Sequence, residues 1–419
     1  MTDTERGRAV ADLTTDLVSI PSHEDETRAG DEIEEWLRTE TNAGVERDDH
    51  GNVIARRNPA NADTSLAFVG HHDVVPPAES QTTGDGTHGE YVVEERDDRL
   101  HGRGTADMKG AVAAAMLAFR DVDRETLREQ EVELIFVSFV GEEDGGVGCR
   151  AAIDDGFAPD FAVVGEGSTG YSAPGVTDVA VAHKGRRGST ITATGESAHA
   201  SEPESGANAI YRSCDAVDVV RDLDAPTTTV QGEQLSGSVA VTEIDGGDAW
   251  NVIPDECSAT VDERTVPGER VPLERVERID GVSWTVDQDL PPMACDDEDF
   301  ADAVLDAARD AQRDGKQYPD GRPQQVVKPH ATDAGWLAQA GTTCVVCGAA
   351  EPGEAHTDSE SVSLAVLARC ERIYRGVVED ATASAAARRG AANHLRLAAS
   401  WGVFDGEATL RPEDATAFV

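Results

Sequence analysis

The sequence predicts an α/β protein: a main domain on a mostly parallel mixed sheet, interrupted by a smaller βαββαβ, ferredoxin-like insertion. Three observations predict it. Strands alternate with helices through the first 186 residues. Near Arg187 the pattern changes to four strands with two helices between them. After Pro292 the alternation of strand and helix resumes. A chain of 419 residues also exceeds one core of usual size. The expected division is 1–186 and 293–380 for the main domain, 187–292 for the insertion, and 381–419 for a C-terminal extension of unassigned role.

Each element has its own signal. Ala9, Leu13 and Leu17 recur at helical spacing, and Ile20-Pro21-Ser22 stops that helix. Glu26–Leu37 is a second helix. Asn52–Arg56, Ser65–Gly70, Glu133–Val140 and Ala162–Val164 read as strands, and the Ala-rich stretch Met108–Phe119 as a helix between them. In the insertion, Ser189–Thr194, Ser238–Ile244, Ser258–Arg264 and Ser283–Val286 are strands. Asn208–Val220 is a helix with Ile210, Cys214 and Val217 on one face, and Leu273–Ile279 is the other helix. Helices Phe300–Gln312, Asp333–Gln339 and Glu360–Val378 then surround a strand at 343–347. A short helix is expected over Asn393–Ser400.

Asp and Glu number 81 against 36 Lys and Arg, a formal charge of −45. Such a charge repels nucleic acid and anionic membrane surfaces, so neither is expected as a partner. Lys occurs only at 109, 184, 316 and 328. An acidic, Lys-poor surface suits concentrated salt, where the Debye length falls to about 3 Å and screens self-repulsion; a halophilic origin is expected. There is no apolar run long enough to span a bilayer, and the charged N-terminus lacks a signal-peptide core. A cytoplasmic location is expected. Seven cysteines (149, 214, 257, 295, 344, 347, 370) are too dispersed for a disulfide framework. Cys344 and Cys347 have C-x-x-C spacing but no second pair, and read as small apolar residues of a buried strand.

Five segments carry candidate chemistry. Gly70-His71-His72-Asp73 follows a strand directly, where ligands gather in open α/β sheets. His71 and Asp73 point the same way in extended chain, and a carboxylate commonly orients a metal-bound His; a surface His-Asp pair is the alternative. Gly102-Arg103-Gly104-Thr105-Ala106-Asp107-Met108-Lys109-Gly110 packs glycines around one carboxylate before a helix, which Asp107 could otherwise simply cap. Gly141-Glu142-Glu143-Asp144 places three acids at a strand end, where they repel one another unless a cation sits among them; a solvated loop is the alternative. Val164-Gly165-Glu166-Gly167 and Ala355-His356-Thr357-Asp358 add one ligand type each. Two His and three carboxylates beside strand ends suit two zinc ions sharing a bridging carboxylate, with bonds of about 2.0–2.2 Å.

In these segments the chain resembles the aminoacylase, acetylornithine deacetylase, succinyl-diaminopimelate desuccinylase and carboxypeptidase-G family of co-catalytic zinc hydrolases. The resemblance covers residues 8 to 380 in order. GHHDVVPP matches the family's G-H-x-D-V-V-P segment, and GRGTADMKG its G-R-G-x-x-D-M-K-G segment. The resemblance implies a zinc-peptidase-like catalytic domain with a lid that also dimerises. It implies that His71 and Glu166 bind one zinc, Glu143 and His356 the other, and Asp107 both. Asp73 would orient His71, and Glu142 would be the general base, kept ionised by the two cations. The family's E-P-[ST] segment appears as Glu166-Gly167-Ser168, a departure. In the lid, His199 in Gly195-Glu196-Ser197-Ala198-His199 would reach the partner subunit's site in a homodimer and stabilise the oxyanion. Asn251 in Asn251-Val252-Ile253-Pro254 would face substrate, and Arg264 would clamp a substrate carboxylate. His72 and His183 are left off the metals, with solvated or hinge roles. The implied activity is hydrolysis of an N-acyl amino acid of the desuccinylase or deacetylase kind. A dipeptidase or carboxypeptidase on the same scaffold is the alternative, and a metal-binding protein without catalysis a remoter one. Cobalt or manganese would suit the same N and O ligands.

Overall fold

The computed structural model describes residues 3–58, 62–83, 90–313 and 321–378, so the helix expected at 393–400 lies outside the described residues. Six strands of the main sheet come first: β1 Gly44–Arg47, β2 Val53–Arg57, β3 Thr64–His71, β4 Val132–Phe139, β5 Phe161–Val164 and β6 Val179–His183. Four form the lid: β7 Gly185–Thr194, β8 Ser238–Gly246, β9 Glu256–Thr265 and β10 Val282–Leu290. Three return to the main sheet: β11 Met293–Ala294, β12 Gln325–Lys328 and β13 Thr343–Val346.

The main sheet runs β1–β2–β4–β3–β5–β13–β6–β11, with β12 beside β6. Its centre, β4–β3–β5–β13, is parallel. Away from that centre only β12 is parallel to its neighbour, and the outer pairings are antiparallel. The sheet is therefore mixed, with its parallel pairing concentrated at the centre. The reason is connectivity: a parallel pair needs a long crossover, and β1 reaches β2 through a tight turn. Alternate residues of the central strands face opposite layers. Leu66, Phe68, Leu134 and Phe136 pack under helices Asp3–Val18, Gly110–Asp121 and Glu298–Arg313. Ala67, Val69, Ile135 and Val137 pack against helices Val147–Asp154 and Asp333–Gln339. A fully buried Leu, Val, Ile or Phe is worth roughly 1.5–3 kcal/mol. That burial pins the strand register, and a one-residue slip would turn every strand-end side chain to the other face.

Two elements of the main domain differ from expectation. The helix expected from Met108 starts at Gly110, because Asp107 (φ −125°, ψ 96°) and Met108 (φ −132°, ψ 28°) do not have helical backbone conformation. The helix expected from Glu360 starts at residue 364; Ser361–Ser363 instead pairs with Arg99–His101.

The lid sheet has the order β8–β9–β7–β10, antiparallel throughout. Helix Ala209–Arg221 covers it, started by Asn208, whose side chain accepts from the Ile210 and Tyr211 amides. Its buried stripe is Ala209, Ser213, Ala216 and Val220, and Cys214 is exposed. Small residues let this helix lie close to the sheet, so the expected face of Ile210, Cys214 and Val217 is displaced by about one position. The second lid helix is a 3-10 helix, Leu273–Arg278, whose buried Leu273 and Val276 are three apart as that repeat requires. A hairpin, Thr227–Val230 with Glu233–Ser236, was not expected.

Candidate metal centre and active site

The parallel centre of the sheet delivers the candidate residues. His71 is the last residue of β3, Glu142 and Glu143 follow β4, and Glu166 follows β5. All sit at the C-terminal ends of parallel strands, where ligands bind in α/β sheets. After β4 the chain reverses in a turn closed by the Gly146 amide on the Gly141 and Glu142 carbonyls. Gly146 has φ 75°, and a Cβ there would lie 2.7 Å from both Asp333 Oδ1 and Trp336 Nε1, so no other residue fits unstrained. His356 itself has a left-handed backbone, φ 62°, which is uncommon outside glycine and clusters at functional sites.

Asp107 does not cap the following helix. Its loop is held from outside. Glu360 Oε1 accepts the amides of Gly104, Ala106 and Asp107 at 2.9, 3.0 and 3.2 Å. Lys109, fully buried, donates to the Leu17 and Ile20 carbonyls at 3.1 and 2.7 Å, and burial brings its pKa down to about 7. Neither residue was singled out from sequence. Glu360 read as a helix start, and only its place four residues after His356 hinted otherwise.

The side chains meet around Asp107. His71 Nε2 lies 3.2 Å from Asp107 Oδ1 and 3.2 Å from Glu166 Oε1. His356 Nε2 lies 3.0 Å from Asp107 Oδ2 and 2.9 Å from Glu143 Oε1. On its other nitrogen His71 faces Asp73 Oδ1 at 3.3 Å, and Asp73 Oδ2 accepts the Glu143 amide at 2.9 Å. Glu142, with His71 and Glu166, forms a further set of donor atoms within 4.8 Å of one another.

This density of acids dominates the electrostatics. Burial works against charge on His71, yet Asp73, Asp107 and Glu166 outweigh it and hold its pKa well above the usual value. His356 is pushed up to about 10 by its hydrogen bonds to Asp107 and Glu143. Burial would raise Asp107, but the two histidines hold it well below the usual carboxylate range. Burial raises Glu142 well above that range and raises Glu143 as well. Asp73, Asp107, Glu142, Glu143 and Glu166 thus converge with only two imidazoles among them. Such a set of N and O donors fits divalent cations, which relieve the repulsion directly.

Two adjoining cavities of about 250 and 310 Å³ open onto the cluster, the first between main domain and lid and the second lined by the main domain. The first runs from Glu142 and His356 to Arg186 and Arg264 of the lid. Asp262 Oδ1 accepts Arg264 Nε at 2.8 Å, and its Oδ2 accepts Arg186 Nε at 2.8 Å. The second holds Gly167, Tyr171 and Lys328, whose Nζ is 3.6 Å from Glu166 Oε2. His330 lines both. Arg186, Lys328 and His330 also escaped the sequence reading, since isolated basic residues carry no pattern.

His199 and Asn251 are not brought to the cluster. They lie side by side on the lid, with His199 paired to Val252, Ala200 bonded to the Asn251 carbonyl, and the His199 ring exposed on Ser201. His72 and His183 are fully buried rather than solvated. His72 Nδ1 meets Ser138 Oγ at 2.9 Å, and His183 Nε2 meets Thr332 Oγ1 at 3.1 Å. His183 ends β6 where the chain passes into the lid. Cys344 and Cys347 are buried free thiols, the first within β13 and the second just past its end.

Comparison with known proteins shows the family and the fold. The model of peptidase family M20/M25/M40 matches residues 67–380. A putative succinyl-diaminopimelate desuccinylase of Mycobacterium tuberculosis is 28% identical over 366 residues, 84% of this chain and 92% of that one. An acetylornithine deacetylase of Yersinia pestis is 34% identical over 211 residues, 48% of this chain and 50% of that one. The crystal structure of the aminopeptidase PepT from Bacillus cereus superposes with a TM-score of 0.68 at 19% identity, covering 89% of this chain and 98% of that one. With its motifs in family order and the family match spanning most of its length, the chain belongs to peptidase family M20/M25/M40.

Proposed function

We propose that this protein is a dinuclear zinc amidohydrolase that cleaves the amide of an N-acyl amino acid, of the desuccinylase or deacetylase kind. Membership of the family makes it a metallohydrolase of carbon–nitrogen bonds. The observation that carries the finer reading is the division of Asp107 between two histidines, each with its own glutamate. His71 and Glu166 would hold one metal, His356 and Glu143 the second, and Asp107 both. Cobalt or manganese would suit the same donors. Bound zinc supplies an activated water and polarises a carbonyl.

The chain's own groups do the rest. The Asp73 main-chain carbonyl accepts from His71 Nδ1 at 3.1 Å with the Asp73 carboxylate beside that nitrogen at 3.3 Å, and together they fix which imidazole nitrogen faces the cluster. Glu142, at the junction of the two cavities, is the general base: it takes the proton of the attacking water and returns it to the departing amine. Burial, with the charges of Glu166, Asp333 and Asp107, raises its pKa, and a nearby cation works in the opposite direction and favours the ionised base. Arg264, held open by Asp262, receives the substrate carboxylate. His199 and Asn251 would serve the neighbouring cleft in a homodimer formed through the lid, His199 at the oxyanion and Asn251 at the substrate.

The 28% identical relative, matched over most of both chains, supports the desuccinylase branch. A dipeptidase or carboxypeptidase would use Arg264 equally well, on a peptide's terminal carboxylate. The test is a substrate panel with zinc in high salt: N-succinyl-diaminopimelate, N-acetylornithine, other N-acyl amino acids and dipeptides. Turnover of N-acyl amino acids above dipeptides is the expected result. Turnover of dipeptides alone would replace the proposal with the second reading.

A further inference from the structure

Glu360 joins the loop of Asp107 to the segment that carries His356. It is 1% exposed. One oxygen gathers three backbone amides of loop 104–107, including that of Asp107 itself. The other oxygen pairs with Arg103 Nη1 at 2.5 Å, and Arg103 Nη2 donates to the Pro76 carbonyl. The Glu360 main chain is tied on both sides, its carbonyl accepting from Gly102 and its amide donating to Thr357, next to His356.

These amides would otherwise be donors without partners, which a folded chain rarely tolerates away from water. A loop that leaves them so placed needs an acceptor supplied from elsewhere. That acceptor comes from the segment carrying His356. A buried ion pair by itself is weak evidence of stabilisation, because desolvation offsets the attraction. Three amides converging on one oxygen, two of them at or next to Asp107, are more than neutralising Arg103 requires.

We propose that Glu360 is a positioning residue for the metal-bridging carboxylate: it fixes the Asp107 loop against the segment that carries His356, so that both faces of Asp107 are set at once. This rests on the ligand assignment made above. It differs from a general stabilising role in what it predicts for metal.

The experiment titrates zinc into metal-free protein by calorimetry, with the melting temperature of the metal-free form and the cobalt absorption spectrum as further readouts. Wild type should take up two ions. Glu360→Gln should bind zinc about 10–100-fold more weakly, the range seen when groups supporting metal ligands are changed, with an altered cobalt spectrum. That variant leaves Arg103 buried without its partner and can fail to fold. The pair Arg103→Met/Glu360→Ala removes both charges; it should recover much of the metal-free melting temperature and still bind zinc weakly. A folded variant of either kind with wild-type zinc affinity and spectrum overturns the role, whatever its melting temperature. Wild type binding no metal would overturn the ligand assignment itself, a separate and recognisable failure.

Discussion

Asp107 Oδ2 lies 3.0 Å from His356 Nε2, while Asp107 Oδ1 faces His71 on the other side at 3.2 Å. One carboxylate therefore spans both halves of the cluster, and its loss should differ in kind from the loss of Glu142. Asp107→Ala should bind fewer than two zinc ions per chain and lose turnover with them. Glu142→Gln should keep two ions and lose about 10²–10⁴-fold in kcat, the usual contribution of a general base. Metal analysis alongside kcat separates the two. Full turnover in Glu142→Gln would remove Glu142 from the mechanism.

Arg264 predicts a different kinetic signature. It reaches the first cavity from the lid and is oriented by Asp262, whose ionised form Arg186 and Arg264 favour strongly enough to outweigh its partial burial. Hydrogen bonds to charged groups contribute about 1.5–3 kcal/mol. Arg264→Met should therefore raise KM for a carboxylate-bearing substrate about 10–100-fold, with kcat and zinc content changed little. A drop in kcat at unchanged KM would place Arg264 in the transition state instead of on the substrate carboxylate.

What was legible in the sequence divides along a physical line. His71, Asp107, Glu143, Glu166 and His356 stand in short segments beside glycines and strand ends, and local pattern exposes such positions. Glu360, Asp262 and Lys328 act across long stretches of chain, on loop 104–107, on Arg186 and on Glu166, and no local spacing marks a residue by its distant partner. The lid helix shows the same limit on a smaller scale. Hydrophobicity favoured Ile210 and Cys214, whereas close approach to the sheet selected Ala209 and Ser213.

Gly167 stands where the family pattern has proline, and its surroundings account for that. A Cβ at 167 would lie 2.7 Å from both the Cβ and the carbonyl oxygen of Ala350. The segment is stitched there, with the Ser168 amide on the Gly348 carbonyl and Ser168 Oγ accepting the Gly348 amide. Restoring the family residue, Gly167→Pro, should thus destabilise by about 1–3 kcal/mol through overcrowding. Chemical denaturation measures this directly. A variant as stable as wild type would show that residues around Ala350 yield easily, and that the departure has another origin.

His183 provides a pH test away from the cluster. It is buried where β6 passes into the lid, against Thr332 and the Lys184 carbonyl, and burial lowers its pKa to about 3 from the ordinary 6.5. Between those values the unfolded chain binds a proton that the folded chain refuses. Its contribution is therefore complete above about pH 6.5 and is lost as pH falls toward the folded value, at up to about 1.4 kcal/mol per pH unit. His183→Gln removes that titration while keeping an amide able to meet Thr332. Unfolding by denaturant, at constant high salt and between pH 6.5 and 5, should show wild-type stability falling more steeply than the variant's by about one proton's worth. Above pH 7 both slopes should agree. Parallel slopes across the whole range would mean that the folded protein accepts the proton on His183, and that the passage from β6 into the lid opens to water.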